Sequence, residues 1–247
     1  MLRLFAFLLG FLAAMAQAQS VYVEDLTWTE VRDAIASGRT TALVYAGSTE
    51  QKGLHMATGA HNVTAHYVGG RIAEKLGDAL VYPILPYAVT GDPVAKTGHM
   101  RFPGSVSLTP EVYREAMKQV ALSAIAAGFK QVYLMGDHGD GQGELRRAAE
   151  SLDGQWARKG VRVRHVPDLY SKARERARQY LAERHIATEE HAGVQDTSEL
   201  LFLDSGGKWV RRDKVPPGAT AELGKLFLDY KIDAAVAQIR ALRASGK

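Results

Sequence analysis

The sequence lacks cysteine altogether, carries little net charge, and contains no apolar run of membrane-spanning length. Without cysteine there are no disulfides and no thiolate ligands, so any metal site must be built from histidines and carboxylates. The formal net charge of +4 over 247 residues is too small to indicate a nucleic-acid-binding protein. With 46% hydrophobic and 23% charged residues, the composition suits one globular domain with a substantial core.

The N-terminal segment has the features of an export signal rather than of a folded element. Arg3 provides a positive charge, residues 4–15 are an apolar run, and Ala16-Gln17-Ala18 matches a cleavage site. The alternative, a retained anchor helix, is disfavoured because crossing a bilayer takes about 20 apolar residues. We therefore expect a signal peptide over residues 1–18, one domain over residues 19–247, and a periplasmic or secreted protein.

Apolar, strand-like runs alternate with helical segments along the rest of the chain. This alternation predicts parallel β-α units, and hence an α/β fold: a three-layer α/β/α sandwich with a mostly parallel sheet. The predicted strands cover residues 40–45, 79–85, 131–135 and 161–166, and the predicted helices include residues 63–76, 109–127, 143–159, 171–185 and 221–244. The last strand alternates valine with arginine and histidine, which indicates one wet face and a place at the sheet edge.

Two loops at predicted strand ends carry the side chains of a candidate site. Residues 46–56 follow the first strand and contain Glu50, with His61 a few residues further on. Residues 136–141 follow the third strand and contain His138. Loops at the carboxyl ends of parallel strands meet in one crevice, where open α/β sheets build their sites. Glutamate, histidine and aspartate delivered to one crevice indicate a metal site.

Both loops resemble those of the creatininase (creatinine amidohydrolase) family. The family patterns S-T-E-Q-H-G-x-H-L-x-x-x-x-D and N-G-H-x-[GE]-N correspond to residues 46–62 and 136–141. Two further patterns, H-x-x-F-P-G-T-[IV]-S-L and H-A-G-x-x-E-T-S, correspond to residues 98–108 and 191–198. The motifs occur in the family's order, and the resemblance extends over about residues 25–243. It implies the same α/β/α architecture, a ring-like homo-oligomer, and two divalent metals with a bridging water that attacks an amide.

The family's metal-ligand positions are only partly retained in this chain. By the resemblance, its glutamate, second-loop histidine and following acid correspond to Glu50, His138 and Asp140, whereas a ligand histidine is Lys52 here and the bridging aspartate is His61. An imidazole nitrogen has one lone pair and cannot bridge two ions, and a protonated lysine has none to donate. We therefore expect one divalent ion held by Glu50, His61 and His138, with Zn²⁺ expected and Mn²⁺ or Fe²⁺ as alternatives.

Other polar residues of the motifs receive catalytic or substrate-binding roles. The Lys52 ammonium is expected to polarise a carbonyl, and Asp140 to orient or deprotonate the water. By the resemblance, His191 lies near the substrate and acts with them. The pocket is expected to be lined by His55, His99 and Asp196.

Structural alternatives stay open for several of these residues. Glu50 or His61 could cap the helix that follows, and Asp137 and Asp140 could be turn acids, a common use of aspartate. Motif matches are hypotheses until the surrounding structure confirms them. No role is expected for the remaining histidines on helices and strands, which are His66, His165 and His185.

Two functional hypotheses of different classes follow from these residues. The first is an exported metal-dependent hydrolase that uses metal-activated water on a small cyclic amide or related C–N bond, with a small-molecule substrate, no nucleic acid and no membrane partner after signal cleavage. The second is a catalytically degenerate periplasmic protein that binds a small ligand or a metal ion. Lys52 and His61 favour the second hypothesis, whereas retention of Glu50, His138 and Asp140 favours the first.

Overall fold

The computed structural model describes residues 20–187 and 189–246. The helices are α1 (Trp28–Ala36), α2 (Ala60–Leu76), α3 (Pro110–Ala127), α4 (Gln142–Trp156), α5 (Ser171–Glu183), α6 (Val194–Leu203) and α7 (Ala221–Ala244). The strands are β1 (Thr41–Ala46), β2 (Ala79–Val81), β3 (Gln131–Gly136) and β4 (Arg162–His165). The predicted signal peptide lies outside the described residues, among which no helix is long and apolar enough to cross a bilayer.

The four strands form one parallel sheet in the order β2-β1-β3-β4. β1 is buried throughout and pairs with β3 over its whole length, from Thr41 opposite Gln131 to Ala46 opposite Gly136. β4 lies at the edge of the sheet, as its mixed pattern predicts. Since β1 and β3 are parallel and in register, the loops that follow them leave the sheet side by side.

Alternate residues of the strands contact opposite helical layers. Val44 and Leu134 belong to one core with residues of α3 and α4, and Leu43 and Met135 belong to the other with residues of α2 and α7. Helices therefore cover both faces of the sheet, which confirms the predicted three-layer α/β/α architecture. Helices α5 and α6 pack on α7 and extend that side of the molecule.

Local sequence sets several helix ends. Thr27 caps α1 and forms a capping box with Glu30, and Thr109 caps α3 immediately before a proline. Gly77 and Gly128 end α2 and α3 with φ angles of 81° and 111°, a left-handed conformation that favours glycine.

Some boundaries differ from the sequence-based prediction. β2 ends at Val81 rather than at Leu85, because Pro83 lacks the N–H that a ladder requires. Leu85 forms only an isolated β-bridge with Ala46. Helix α2 begins three residues earlier than predicted, at Ala60. Helix α6 is not expected from the periodicity, because its buried face carries the polar residues Gln195, Thr197, Ser198 and Glu199.

Candidate metal centre

The candidate site lies where β1 and β3 end, as the sequence predicts. Glu50 lies four residues after β1, and His138 lies two residues after β3. His99 reaches the same place from the long segment between β2 and α3. One ligand atom from each of these three side chains lies within 4.8 Å of the others, an arrangement able to hold a metal ion.

The two carboxylate oxygens of Glu50 have different surroundings. Oε2 lies 2.8 Å from Nε2 of His138 and accepts a hydrogen bond from the Ser48 hydroxyl at 3.1 Å. Oε1 is buried and accepts no hydrogen bond among the described residues, although Nε2 of His61 is 3.2 Å away. Burial opposes ionisation, yet the contacts with His138 and His61 hold the pKa of Glu50 well below its usual range. A buried, ionised oxygen without a donor suits a cation.

The backbone determines which nitrogen of His138 faces Glu50. Nδ1 of His138 lies 3.2 Å from the Asp140 carbonyl, which can only accept, so Nδ1 carries the proton of a neutral ring. Nε2 then presents a lone pair to a carboxylate oxygen 2.8 Å away. A ring nitrogen and a carboxylate oxygen at this separation share either a proton or a metal ion. The donor set of Glu50, His138 and His99 therefore fits a divalent metal ion.

His61, predicted as a metal ligand, contacts other side chains through both of its ring nitrogens. It lies in the first turn of α2 and is buried, with Nδ1 2.8 Å from Oδ2 of Asp137 and Nε2 2.9 Å from Nζ of Lys52. Burial and Lys52 lower the pKa of His61, whereas Asp137 and Glu50 raise it, and the net shift is upward. A proton on Nε2 would nevertheless face the Lys52 ammonium, so the geometry fits an Nε2 lone pair that accepts from Lys52.

Lys52 is buried between two acceptors. Its Nζ donates to Oδ2 of Asp196 at 2.8 Å as well as to His61, and its side chain is only 4% exposed. Asp196 also binds Arg174 at 3.0 Å, and despite burial these two cations hold the pKa of Asp196 well below its usual range. Lys52 and Asp196 were both predicted site residues, and the fold brings them into direct contact.

A second buried ion pair lies behind His61 and was missed by the sequence analysis. Nζ of Lys231 lies 2.8 Å from Oδ1 of Asp137 and 2.7 Å from Oε2 of Glu199. Burial disfavours the charge of Lys231, but Asp137 and Glu199 raise its pKa well above the usual range. The sequence does carry one signal: Lys231 follows Leu228 by three residues on the buried face of α7.

Two further predicted site residues, His191 and His55, contact the first loop and helix α6. Nε2 of His191 donates to the Gln51 carbonyl at 2.9 Å, and its ring lies 4.5 Å from that of His99. Burial, followed by Lys52 and His99, lowers the pKa of His191 to about 4. His55 is buried with Nε2 2.8 Å from the Thr197 hydroxyl.

The acid that enters the centre from the second loop is Asp137 rather than Asp140. Asp137 is 2% exposed and contacts His61, whereas Asp140 is exposed and touches His138 through its backbone carbonyl. The predicted role of the Asp140 carboxylate stays a prediction.

Comparison with known proteins identifies the family. The family model described as "Creatininase: Creatinine amidohydrolase" matches residues 24–236, most of the chain. The chain belongs to the creatininase family. The creatininase relatives include the creatinine amidohydrolase of Pseudomonas putida, 30% identical over 121 residues, which are 49% of this chain and 46% of that protein. The mycofactocin precursor peptide peptidase of Mycolicibacterium smegmatis is 28% identical over 190 residues, which are 75% of this chain and 66% of that protein.

Solved creatininase structures share the fold. A tryptophan-to-alanine mutant creatininase superimposes with a TM-score of 0.73 at 23% identity, covering 90% of this chain and 98% of that one. A creatininase described with Mn gives a TM-score of 0.71 at 24% identity, covering 90% and 98% of the two chains. The sequence matches span about half to two thirds of the curated relatives, so the activity of this chain is a separate question from its fold.

Proposed function

We propose that this creatininase-family protein is a metal-dependent hydrolase of a small cyclic amide or related C–N bond. The observation that carries the proposal is the buried Oε1 of Glu50, which has no hydrogen-bond donor in the described part of the chain and lies beside His138 and His99. Solved relatives described as Zn-Zn and Mn creatininases support a metal at this edge of the sheet.

The charges around the site favour one ion rather than two. With His61 neutral, the linked side chains comprise three cations and four carboxylates, namely Lys52, Arg174, Lys231, Glu50, Asp137, Asp196 and Glu199. These side chains carry one excess negative charge, and one divalent ion would turn it into one excess positive charge. A second divalent ion would leave a large buried positive charge. We propose one Zn²⁺, with Mn²⁺ or Fe²⁺ as alternatives, held by Glu50, His138 and His99.

In this proposal the metal supplies Lewis acidity and lowers the pKa of water at the site. His99 replaces His61 in the predicted ligand set, because both ring nitrogens of His61 already face other side chains. Lys52, held by His61 and Asp196, contributes a fixed positive charge that stabilises negative charge developing on a substrate carbonyl oxygen. The tilted ring of His191 lies 4.5 Å from that of His99 and restricts it, and the Gln51 carbonyl in turn holds His191.

A second candidate function has its own support. Lys52 is held by Asp196 and His61, so a buried ion pair involves the residue at whose position the family resemblance implies a further metal ligand. A site of this kind suits a non-catalytic protein that binds a small ligand or a metal ion. Both functions involve the same residues, and turnover distinguishes them.

The test combines metal content with turnover. His138→Ala removes a ligand, so we expect metal affinity to fall tenfold or more, as damage to a metal site commonly causes. His66→Ala, an exposed histidine on α2, is the matched control and should retain wild-type metal content. Elemental analysis follows purification without added metal. Equal metal in wild type and His138→Ala would refute the assignment.

Turnover is measured with a panel of cyclic amides and short peptides, since the named relatives act on both kinds of C–N bond. Hydrolysis that requires metal and is lost in His138→Ala supports the enzyme. Metal binding without hydrolysis of any member supports the binding protein.

Export and self-association belong to the same proposal. We propose a periplasmic or secreted homo-oligomer, on the signal-like N-terminal sequence and on the family resemblance. Intact-mass analysis of the exported protein would detect cleavage after Ala18, and a chain that retains Met1 would contradict it. Sedimentation at several concentrations would report the oligomer.

A further inference from the structure

Lys231 is a fully buried cation that the proposed chemistry does not use. It lies on α7, 94 residues from Asp137 in sequence, with a side chain only 3% exposed. Burying a lysine costs free energy unless its charge is paired, and Lys231 is paired with both Asp137 and Glu199. One carboxylate would suffice to neutralise it. The second contact connects α7 with the candidate metal centre.

The contact with Lys231 assigns separate tasks to the two oxygens of Asp137. Oδ1 accepts from Lys231 at 2.8 Å and lies 3.5 Å from the Tyr45 hydroxyl. Oδ2 lies 2.8 Å from Nδ1 of His61. With Oδ1 held from the α7 side, the carboxylate cannot rotate without losing its ion pair, so Oδ2 stays directed at the imidazole.

The orientation of His61 then determines the position of Lys52. A carboxylate can only accept, so Nδ1 of His61 must carry a proton, and in a neutral ring Nε2 keeps its lone pair. That lone pair accepts from Nζ of Lys52 at 2.9 Å. His61 and Asp196 together hold the ammonium, and the same Nε2 of His61 lies 3.2 Å from Oε1 of Glu50.

We propose that Lys231 is a positioning residue of the metal centre: through Asp137 it fixes His61 in the Nδ1–H form and thereby keeps the Lys52 ammonium bound to Nε2 of His61. The effect on His61 and Lys52 is independent of the reaction, and only the consequence for turnover rests on the proposed function. A purely structural role, neutralising buried carboxylates, would leave the proton of His61 where it is.

The test determines which ring nitrogen of His61 carries the proton. Full-length protein in its metal-free form is labelled with ¹⁵N-histidine, and the ring nitrogen resonances of His61 are assigned by their loss in His61→Gln. Lys231→Met leaves two buried carboxylates unpaired and risks unfolding. The charge-balanced double variant Lys231→Met, Glu199→Gln removes one cation and one carboxylate and is the principal variant. Folding is checked by circular dichroism.

A matched control lies on the same helix. Lys225 and Asp229 form an ion pair of 2.8 Å on the exposed face of α7. Lys225→Met with Asp229→Asn therefore makes the same change of charge on the same element, away from Asp137.

We expect Nδ1 to be protonated and Nε2 unprotonated in the wild type and in the control. In the Lys231→Met, Glu199→Gln variant the Nδ1–H form should fall to about half or less, because an Asp137 carboxylate released from Lys231 can turn away from Nδ1, and a neutral imidazole without that acceptor populates both tautomers. Zn²⁺ affinity should fall about tenfold, the loss expected when a partner behind a metal site is removed.

Two results would overturn the inference. One is a proton on Nε2 of His61 in the wild type, and the other is an unchanged tautomer in the folded double variant. Both are read without metal, so they stand even if the protein binds no metal and the proposed function fails.

Discussion

At the scale of single residues, the site is defined by the position of a lysine. Lys52 is the only buried cation among the described residues that lies within reach of both His61 and Asp196, and it contacts Nε2 of His61, which also lies 3.2 Å from the oxygen of Glu50 that has no donor. A fixed ammonium and a metal ion compete for the same negative surroundings, because both are stabilised by the same carboxylates. The identity of residues 52 and 61 should therefore decide how many ions are bound.

Reverting both residues should create a second metal site. Lys52→His supplies a ligand but no bridge, and His61→Asp supplies a bridge but leaves the ammonium repelling the second ion. We expect the wild type and each single variant to bind one ion tightly. The double variant Lys52→His with His61→Asp should bind a second ion at least about tenfold more tightly than the sum of the two single effects predicts, because the effects of residues that share a site are not additive.

Metal titration of the four proteins measures this cycle, with His66→Asp on the same helix as the control for an added carboxylate. If the wild type already binds two ions tightly at this site, the charge argument is wrong.

At the scale of elements, the close crossing of α6 and α7 brings the missed ion pair together. A Cβ atom built on Gly224 of α7 would lie 1.8 Å from the Ser198 carbonyl of α6, so the two backbones touch at this glycine. The neighbouring residue of α6 is Glu199, and two turns along α7 lies its partner Lys231. The glycine thus permits the approach that pairs these side chains.

Gly224→Ala should destabilise the protein by about 1–3 kcal/mol or more, because the added methyl group meets backbone that cannot move aside cheaply. Gly154→Ala is the matched control within α4, where the added Cβ meets nothing within 4 Å. It should stabilise the protein by about 0.5–1 kcal/mol through helix propensity. Urea unfolding of the three proteins provides the comparison, and a neutral Gly224→Ala would contradict the close crossing.

At the scale of the whole molecule, stability should depend on pH through His165, a partly buried histidine on the edge strand of the sheet. His165 ends β4, and its Nε2 donates to Oε1 of Gln142 at 2.9 Å, while Nε2 of Gln142 binds the carbonyls of Gly136 and His138. Burial, and to a smaller extent Arg146, lowers the pKa of His165 to about 4. Protonation of His165 therefore opposes folding.

The sign of this effect is definite. The unfolded chain takes up the proton near pH 6.5 and the folded chain near pH 4, so the stabilisation is complete above pH 6.5 and is lost as pH falls towards 4. We expect a loss of about 1–2 kcal/mol between pH 7.5 and pH 4.5, allowing for partial exposure. In His165→Gln this part of the pH dependence should disappear, while exposed His66→Gln should behave as wild type. Denaturant unfolding of the three proteins at the two pH values tests this expectation. If His165→Gln showed the same pH dependence of stability as the wild type, His165 would not be its source.

The sequence by itself determined the architecture and the location of the site. Strand periodicity placed β1, β3 and β4, capping residues set helix ends, and parallel strands bring the loops with Glu50 and His138 to one edge of the sheet. These features depend on neighbours a few residues apart, which a sequence records directly. The exchange of ligands for Lys52 and His61 was equally visible, because it lies within a recognisable motif.

Only the tertiary structure decided which side chains meet. It placed His99 beside Glu50, turned Nδ1 of His61 to Asp137, and paired Asp137 with Lys231 from α7. Periodicity gives the face of an element, but the direction of a ring nitrogen or carboxylate oxygen depends on the partner that the packing of distant segments supplies. Buried charges need such partners, and for Lys231 they lie 94 and 32 residues away along the chain.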